Sequence, residues 1–205
     1  MTPAAHAQLA KADPVMRRLI RRAGPCAIKP LRRSPFEALV SAVAHQQLNG
    51  TAAATILGRF RALFPKGRFP TPAEVAAVPD EAIRAAGFSR AKLAAIRDIS
   101  DRALTGAVPD RRTIARWDDE RIITHLVECR GVGRWTVEMF LMFTLARPDV
   151  LPADDFGVRS GFRLAYGLAE MPSPKDLLAF GERWRPHRTT ASWYLWRAVD
   201  LAKLK

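Results

Sequence analysis

The chain has 205 residues with 33 Lys and Arg against 20 Asp and Glu, a formal charge of +13. This length holds one ordinary domain or two small lobes with a sizeable core, and the charge points to a polyanionic partner, most simply nucleic acid. Two separated cysteines, Cys26 and Cys129, exclude a zinc site or iron–sulfur cluster built from cysteine. They read as small apolar groups in a reducing compartment. The N-terminus has no apolar core of signal-peptide length, and the apolar run Met139 to Ala146 is too short to span a bilayer. A soluble, cytoplasmic protein associated with the nucleoid is the expectation.

Taken in order, the chain reads as helical nearly throughout, with no alternating strand pattern. A first helix is predicted near Pro14 to Arg22, its arginine pairs forming a solvated face, ending at Gly24-Pro25. Pro35 opens a second, where Phe36, Leu39, Val40 and Val43 fall at i, i+3, i+4, i+7. After the Asn49-Gly50 break a third helix is predicted from Thr51 to Phe64. Thr71-Pro72-Ala73-Glu74 is a capping box with Pro at the first helical position, and Gly87 closes the short helix that follows. Ser89 caps the next, through Leu104, with Leu93, Ile96 and Ala103 inward. Asp118 or Asp119 starts a helix carrying Ile122, Ile123, Leu126 and Val127 inward. Val137, Phe140, Leu141, Thr144 and Leu145 form another buried stripe, Ser173-Pro174 opens a further helix, and a last one runs from about Thr189 to the end. The prediction is an all-α fold of about ten helices in two lobes with a cleft between them. Residues 36–150 form one lobe, and residues 1–35 with 151–205 form the second.

Two stretches carry chemistry. Gly131-Val132-Gly133 joins two helices by a turn that glycine tolerates best, and it aims the first N–H groups of the second helix outward. Those groups carry the positive end of the helix dipole, so the turn suits a phosphate without reading base sequence. Arg130 and Arg134 flank it. Taken alone it is an ordinary helical corner. Asp154-Asp155 precedes another helix; one Asp serves as N-cap, and a second exceeds what capping needs. An anion fixed at a helix N-terminus suits stabilising positive charge on a sugar carbon. Trp135 stands at the mouth of the glycine turn, where an extruded base would need a flat π surface. His45, His125 and His187 show no metal-ligand spacing.

Combined at the observed spacing, Leu126 through Thr136 and then Leu151 through Arg159 resemble the helix-hairpin-helix superfamily of DNA glycosylases, within it the 3-methyladenine DNA glycosylase II type in a compact form without an N-terminal β domain. Ala44-His45-Gln46-Gln47-Leu48, the Gly87 to Lys92 turn, and the segments Trp184 to Arg188 and Trp193 to Arg197 agree with the same family, so the resemblance covers nearly the whole chain from Pro35.

The resemblance implies that Asp155 is the catalytic carboxylate and that Trp135, Met139 and Trp196 wall the base pocket. Leu48 becomes the wedge that fills the gap in the DNA stack, with Gln47 beside it. Arg130, Gly131, Val132, Gly133, Arg134 and Thr136 become DNA-contacting residues. The main-chain carbonyls of Val127, Cys129 and Gly131 correspond to a structural monovalent cation site, Na+ or K+, and no other cofactor is implied. Arg130 replaces the usual Pro before the first glycine, and Met139 replaces an aromatic found in some relatives. Trp135 occupies the position where strand-cutting relatives carry a nucleophilic lysine, which implies a monofunctional enzyme. The expected partner is double-stranded DNA with damaged bases, with no membrane, and the expected state is a monomer. The expected activity is removal of alkylated purines by base flipping and hydrolysis of the N-glycosidic bond. Two alternatives stand beside it: a catalytically inactive helix-hairpin-helix scaffold, and a glycosylase for oxidised or mispaired bases.

Overall fold

The computed structural model describes residues 3–48 and 50–204. Among these it holds thirteen α-helices, two short 3-10 turns and no strand. The fold is all-α, as the absence of period-two patterning predicts. They are α1 (Pro3–Ala12), α2 (Pro14–Ala23), α3 (Pro35–His45), α4 (Gly50–Ala62), α5 (Pro72–Ala77), α6 (Asp80–Ala85), α7 (Arg90–Leu104), α8 (Arg111–Ile114), α9 (Asp119–Leu126), α10 (Arg134–Phe143), α11 (Phe156–Tyr166), α12 (Pro174–Gly181) and α13 (Arg188–Lys203).

The start signals act as their chemistry dictates. Ser34, Ser89, Asp118 and Ser173 each accept a hydrogen bond from the backbone N–H three residues on. Thr71 and Glu74 close the reciprocal capping box. Periodicity overlooked α1 and α8, and it merged α5 with α6 across Pro79. α1 is small and weakly patterned, burying only Ala5 and Leu9. Val127, expected inward, is exposed because the helix has ended at Leu126 and Val127 is its C-cap. Asn49, half of the expected break, lies outside the described residues.

The chain divides into two compact units, Arg32–Phe140 and Met1–Leu31 with Leu141–Lys205. The Arg32–Phe140 unit is built on apolar faces of α3, α4, α7 and α9, with Leu39, Val43, Phe60, Ile96 and Leu126 buried. Phe60 meets Phe64, Phe69 and Phe88 edge-to-face at 5.4–6.0 Å between centroids, the geometry ring quadrupoles favour.

The other unit centres on α11 and α13, with Val158, Phe162, Tyr194 and Leu195 joined by Leu9, Met16, Leu151 and Trp184. A single carboxylate ties it together. Asp13 is 2% exposed. Its Oδ1 accepts the N–H groups of Val15 (2.8 Å) and Met16 (3.3 Å), capping α2. Its Oδ2 accepts the indole N–H of Trp184 at 3.0 Å and the hydroxyl of Tyr166. Burial and that bond push the Tyr166 hydroxyl well above the usual phenol range. Asp13→Ala removes the cap and strands two buried donors, so it is expected to cost about 3 kcal/mol. Urea denaturation followed by tryptophan fluorescence measures this; a loss below about 1 kcal/mol contradicts the assignment of Asp13 as the hub.

Candidate functional site

In the unit containing α11, Leu151-Pro152-Ala153 is buried and leads out to Asp154 and Asp155. Of the two carboxylates, Asp154 is exposed, whereas Asp155 is half-buried and caps α11, accepting the Val158 N–H at 2.7 Å. The same Oδ1 accepts the indole N–H of Trp196 from α13 at 2.8 Å. Two donors on one oxygen fix the plane of the carboxylate. Trp196 therefore acts through its N–H edge as well as its face, and the face stacks on Phe143 at 6.0 Å and 22°. Phe143 was not anticipated as a site residue.

Two features that sequence reasoning missed hold this arrangement. Gly157 lies where a Cβ would come within 2.9 Å of Trp196 Cδ1 and 3.1 Å of Asp155 Oδ1. Only a hydrogen there lets the indole reach the carboxylate. The loop before Asp154 is also anchored to the start of α13: Arg188 grips Asp149 with two nitrogens at 2.8 and 3.1 Å. Thr189 Oγ1 donates to the Arg147 carbonyl at 2.7 Å and accepts the Val150 N–H at 3.0 Å. The Trp184 to Arg188 signature is thus a loop anchor.

In the unit Arg32–Phe140, α9 ends at Leu126 and α10 begins at Arg134, with the glycine turn between. Gly131 has φ +75°, a conformation that favours glycine, and a Cβ there would sit 3.1 Å from the Ala95 side chain. Its partner Val132 is buried and plugs the turn, while Gly133 and Arg130 are exposed. The Arg130 backbone N–H donates to Asp98 Oδ2 at 2.8 Å, so the residue standing in place of Pro anchors the turn through an N–H that Pro lacks.

Arg134, beside the turn, is half-exposed and ion-paired. Its guanidinium is bridged to Glu120 at 2.5 and 3.2 Å and to Glu138 at 3.2 Å, which raises its already high pKa. Thr136 is buried, so only its backbone can reach a ligand. Trp135 is 41% exposed on the first turn of α10, with Met139 one turn further along and half-buried.

The expected wedge turn follows α3. Gln47 adopts φ +56°, uncommon for a side-chain-bearing residue and costing on the order of 1 kcal/mol. Leu48 beside it is 39% exposed. Leu48 is thus an exposed apolar side chain next to a residue in a left-handed conformation. For the cation expectation, the Cys129 carbonyl accepts the Val132 N–H at 3.0 Å and the Gly131 carbonyl accepts Gln46 Nε2 at 2.8 Å. Each oxygen keeps a second lone pair, and carbonyl oxygens are the donor class a monovalent cation takes. The Val127, Cys129 and Gly131 carbonyls are oxygens of that donor class. Among the described residues no group of three or more His, Cys, Asp or Glu is arranged to hold a metal ion, and no helix is long and apolar enough to cross a membrane.

Residues 40–186 match the HhH-GPD superfamily of base excision DNA repair proteins. The chain belongs to this family. It is 40% identical over 171 residues to a DNA-3-methyladenine glycosylase of Schizosaccharomyces pombe, spanning 83% of this chain and 75% of that protein. Among solved structures, the S. pombe 3-methyladenine DNA glycosylase in complex with abasic DNA superposes with a TM-score of 0.89 at 38% identity, over 97% of this chain and 98% of that one. A DNA-3-methyladenine glycosidase from Bacillus halodurans gives 0.86 at 34% identity, over 98% and 92% of the two chains. Family membership makes this a base excision repair protein, in keeping with the resemblance read from its glycine turn and acidic pair.

Proposed function

We propose that the protein is a monofunctional DNA glycosylase that hydrolyses the N-glycosidic bond of alkylated purines in double-stranded DNA. The observation that carries this reading is the Asp155 carboxylate, oriented by Val158 and Trp196 through one oxygen, in a chain 40% identical to a named 3-methyladenine glycosylase.

The glycine turn receives a backbone phosphate on the first N–H groups of α10, with Arg130 adding charge. A cation on the Val127, Cys129 and Gly131 carbonyls, when bound, adds positive charge to that turn. Leu48 enters the stack and Gln47 faces the gap, while Trp135 and Met139 offer π and sulfur surfaces to the extruded base. An N3- or N7-alkylated purine already carries positive charge and leaves neutral, taking the electrons of the C1′–N bond. The sugar carbon is then cationic, and Asp155 stabilises it. Water adds its oxygen to C1′, and its proton passes to Asp155 or solvent. Trp135 in the lyase position leaves no amine there to form a Schiff base. We assign the enzyme to act as a monomer.

The test is incubation with duplexes bearing N3-methyladenine, N7-methylguanine or ethenoadenine, with released bases identified by mass spectrometry. Free alkylated purine and strands that break only after hot alkali are expected. Tight duplex binding with no base released sinks the enzymatic reading in favour of a scaffold. Strand scission without alkali sinks the monofunctional assignment, and release of oxidised or mispaired bases alone sinks the substrate class.

A further inference from the structure

One side of α7 touches both the wedge turn and the glycine turn. Lys92, in its first turn, extends Nζ to the carbonyls of Ala44 at 2.9 Å and Gln46 at 2.7 Å. These lie at the C-terminal end of α3, where carbonyls lack intrahelical partners and a cation is favoured. The ammonium is partly desolvated there, which lowers the Lys92 pKa from the ordinary lysine value. Gln46, held through its own carbonyl, sends its side-chain amide to the Gly131 carbonyl at 2.8 Å. Three residues beyond Lys92, Ala95 is the small residue against which Gly131 sits. Three further on, Asp98 Oδ2 accepts the Arg130 N–H at 2.8 Å and the Arg102 Nε at 3.1 Å. Hence the strained turn carrying Gln47 and Leu48 and the turn carrying Gly131 hang from one rigid helix, and Gln46 bridges them directly.

We propose that Lys92, Asp98 and Gln46 are positioning residues that set the spacing between the Leu48 wedge and the phosphate-holding glycine turn, so that gripping the backbone and filling the base stack occur as one event. This rests on the glycosylase reading above. Neither charged group needs to touch DNA: Lys92 spends two donors on the α3 terminus, and Asp98, an anion, would repel phosphate if it did not hold the turn.

The test uses the full chain and a duplex with ethenoadenine or N7-methylguanine, plus 2-aminopurine beside the lesion to report unstacking. Lys92→Met keeps length and loses the donors; Gln46→Ala removes the bridge at a surface position and stands in if the first variant folds poorly. Each is expected to lower single-turnover base release 10- to 100-fold and to reduce the 2-aminopurine signal, while affinity for undamaged duplex changes less than threefold. Lys92→Arg should recover part of the rate. The double variant should be no slower than the worse single one, because both break the same link. A Lys92→Met rate within twofold of wild type overturns the proposal. So does a loss matched by an equal loss of undamaged-duplex affinity, which makes Lys92 a phosphate contact, or a double variant whose loss is the product of the singles. If wild type releases no base, the glycosylase reading fails; the 2-aminopurine signal, which needs no chemistry, still decides whether the two turns are coupled.

Discussion

Asp155→Asn is expected to lower base release on the order of 10²- to 10³-fold, the range seen when one preorganised electrostatic group is removed from a reacting centre. The substitution is chosen because Asn keeps the shape and an oxygen at Oδ1. The cap on Val158 and the bond from the Trp196 indole can both persist, so the melting temperature should move by no more than a few degrees, equivalent to about 1 kcal/mol. What disappears is the negative charge facing the cationic sugar carbon. Duplex binding should hold or strengthen, since an anion near a polyanion has been neutralised. Asp155→Ala is the informative contrast, because it also leaves the Val158 and Trp196 donors without that partner and should cost about 2 kcal/mol of stability. If Asp155→Asn retains a tenth or more of the wild-type rate on an alkylated duplex, the carboxylate is not the catalytic group.

The boundary between what the sequence discloses and what it withholds follows interaction range. Caps, glycine stops and the α3 stripe are local, and Ser34, Ser89, Asp118 and Ser173 were readable because the atom each one satisfies lies three residues away. The acidic pair marked a post for catalysis, but composition alone left two candidates. The structure separates them by exposure, with Asp154 in solvent and Asp155 turned toward Trp196, forty-one residues on. The resemblance singled out Trp196 as a base-stacking wall; its hydrogen bond to the carboxylate had no local signature. Arg134 carried a similar ambiguity. An arginine beside a glycine turn reads as a phosphate contact, and the ion pairs it also makes, with Glu120 from the preceding helix and Glu138 one turn on, carry no signal in the motif. Lys92 stood out only as the end of the Gly87 turn and Asp98 not at all, since their partners lie 46 to 48 and 32 residues distant. Asp13 escaped notice for the same reason, its tyrosine and tryptophan partners standing 153 and 171 residues away. Hydrogen-bond partners at such separations leave no periodicity to detect.

The largest stability effect is expected at Gly161, one turn beyond Gly157 on the same face of α11. Propensity alone argues that Gly161→Ala should help, since alanine favours a helix interior by about 1 kcal/mol over glycine. Packing argues the reverse. A Cβ on Gly161 would sit 1.9 Å from the Leu195 carbonyl oxygen, 2.5 Å from its carbon and 3.1 Å from its Cα. Those are backbone atoms of α13, so no rotamer change relieves the overlap. The two helices must separate, and the contact among Val158, Phe162 and Leu195 at the centre of that unit opens with them. Overpacking that moves backbone in this way belongs to the severe class, on the order of 4 kcal/mol, and outweighs the propensity gain severalfold. Gly157→Ala separates structure from catalysis on the same helix. Its nearest obstructions are the Trp196 ring at 2.9 Å and Asp155 Oδ1 at 3.1 Å, which are side-chain atoms. The indole can swing away at small cost in stability, but it then releases the carboxylate. Gly157→Ala should accordingly melt within about 1 kcal/mol of wild type and lose roughly tenfold or more in base release, a change worth about 1.4 kcal/mol in the barrier. Thermal denaturation of the two variants side by side, with single-turnover kinetics on whichever folds, decides the matter. A Gly161→Ala protein as stable as wild type would mean that α11 and α13 do not approach at this closeness, and the link from Trp196 to Asp155 would lose its support.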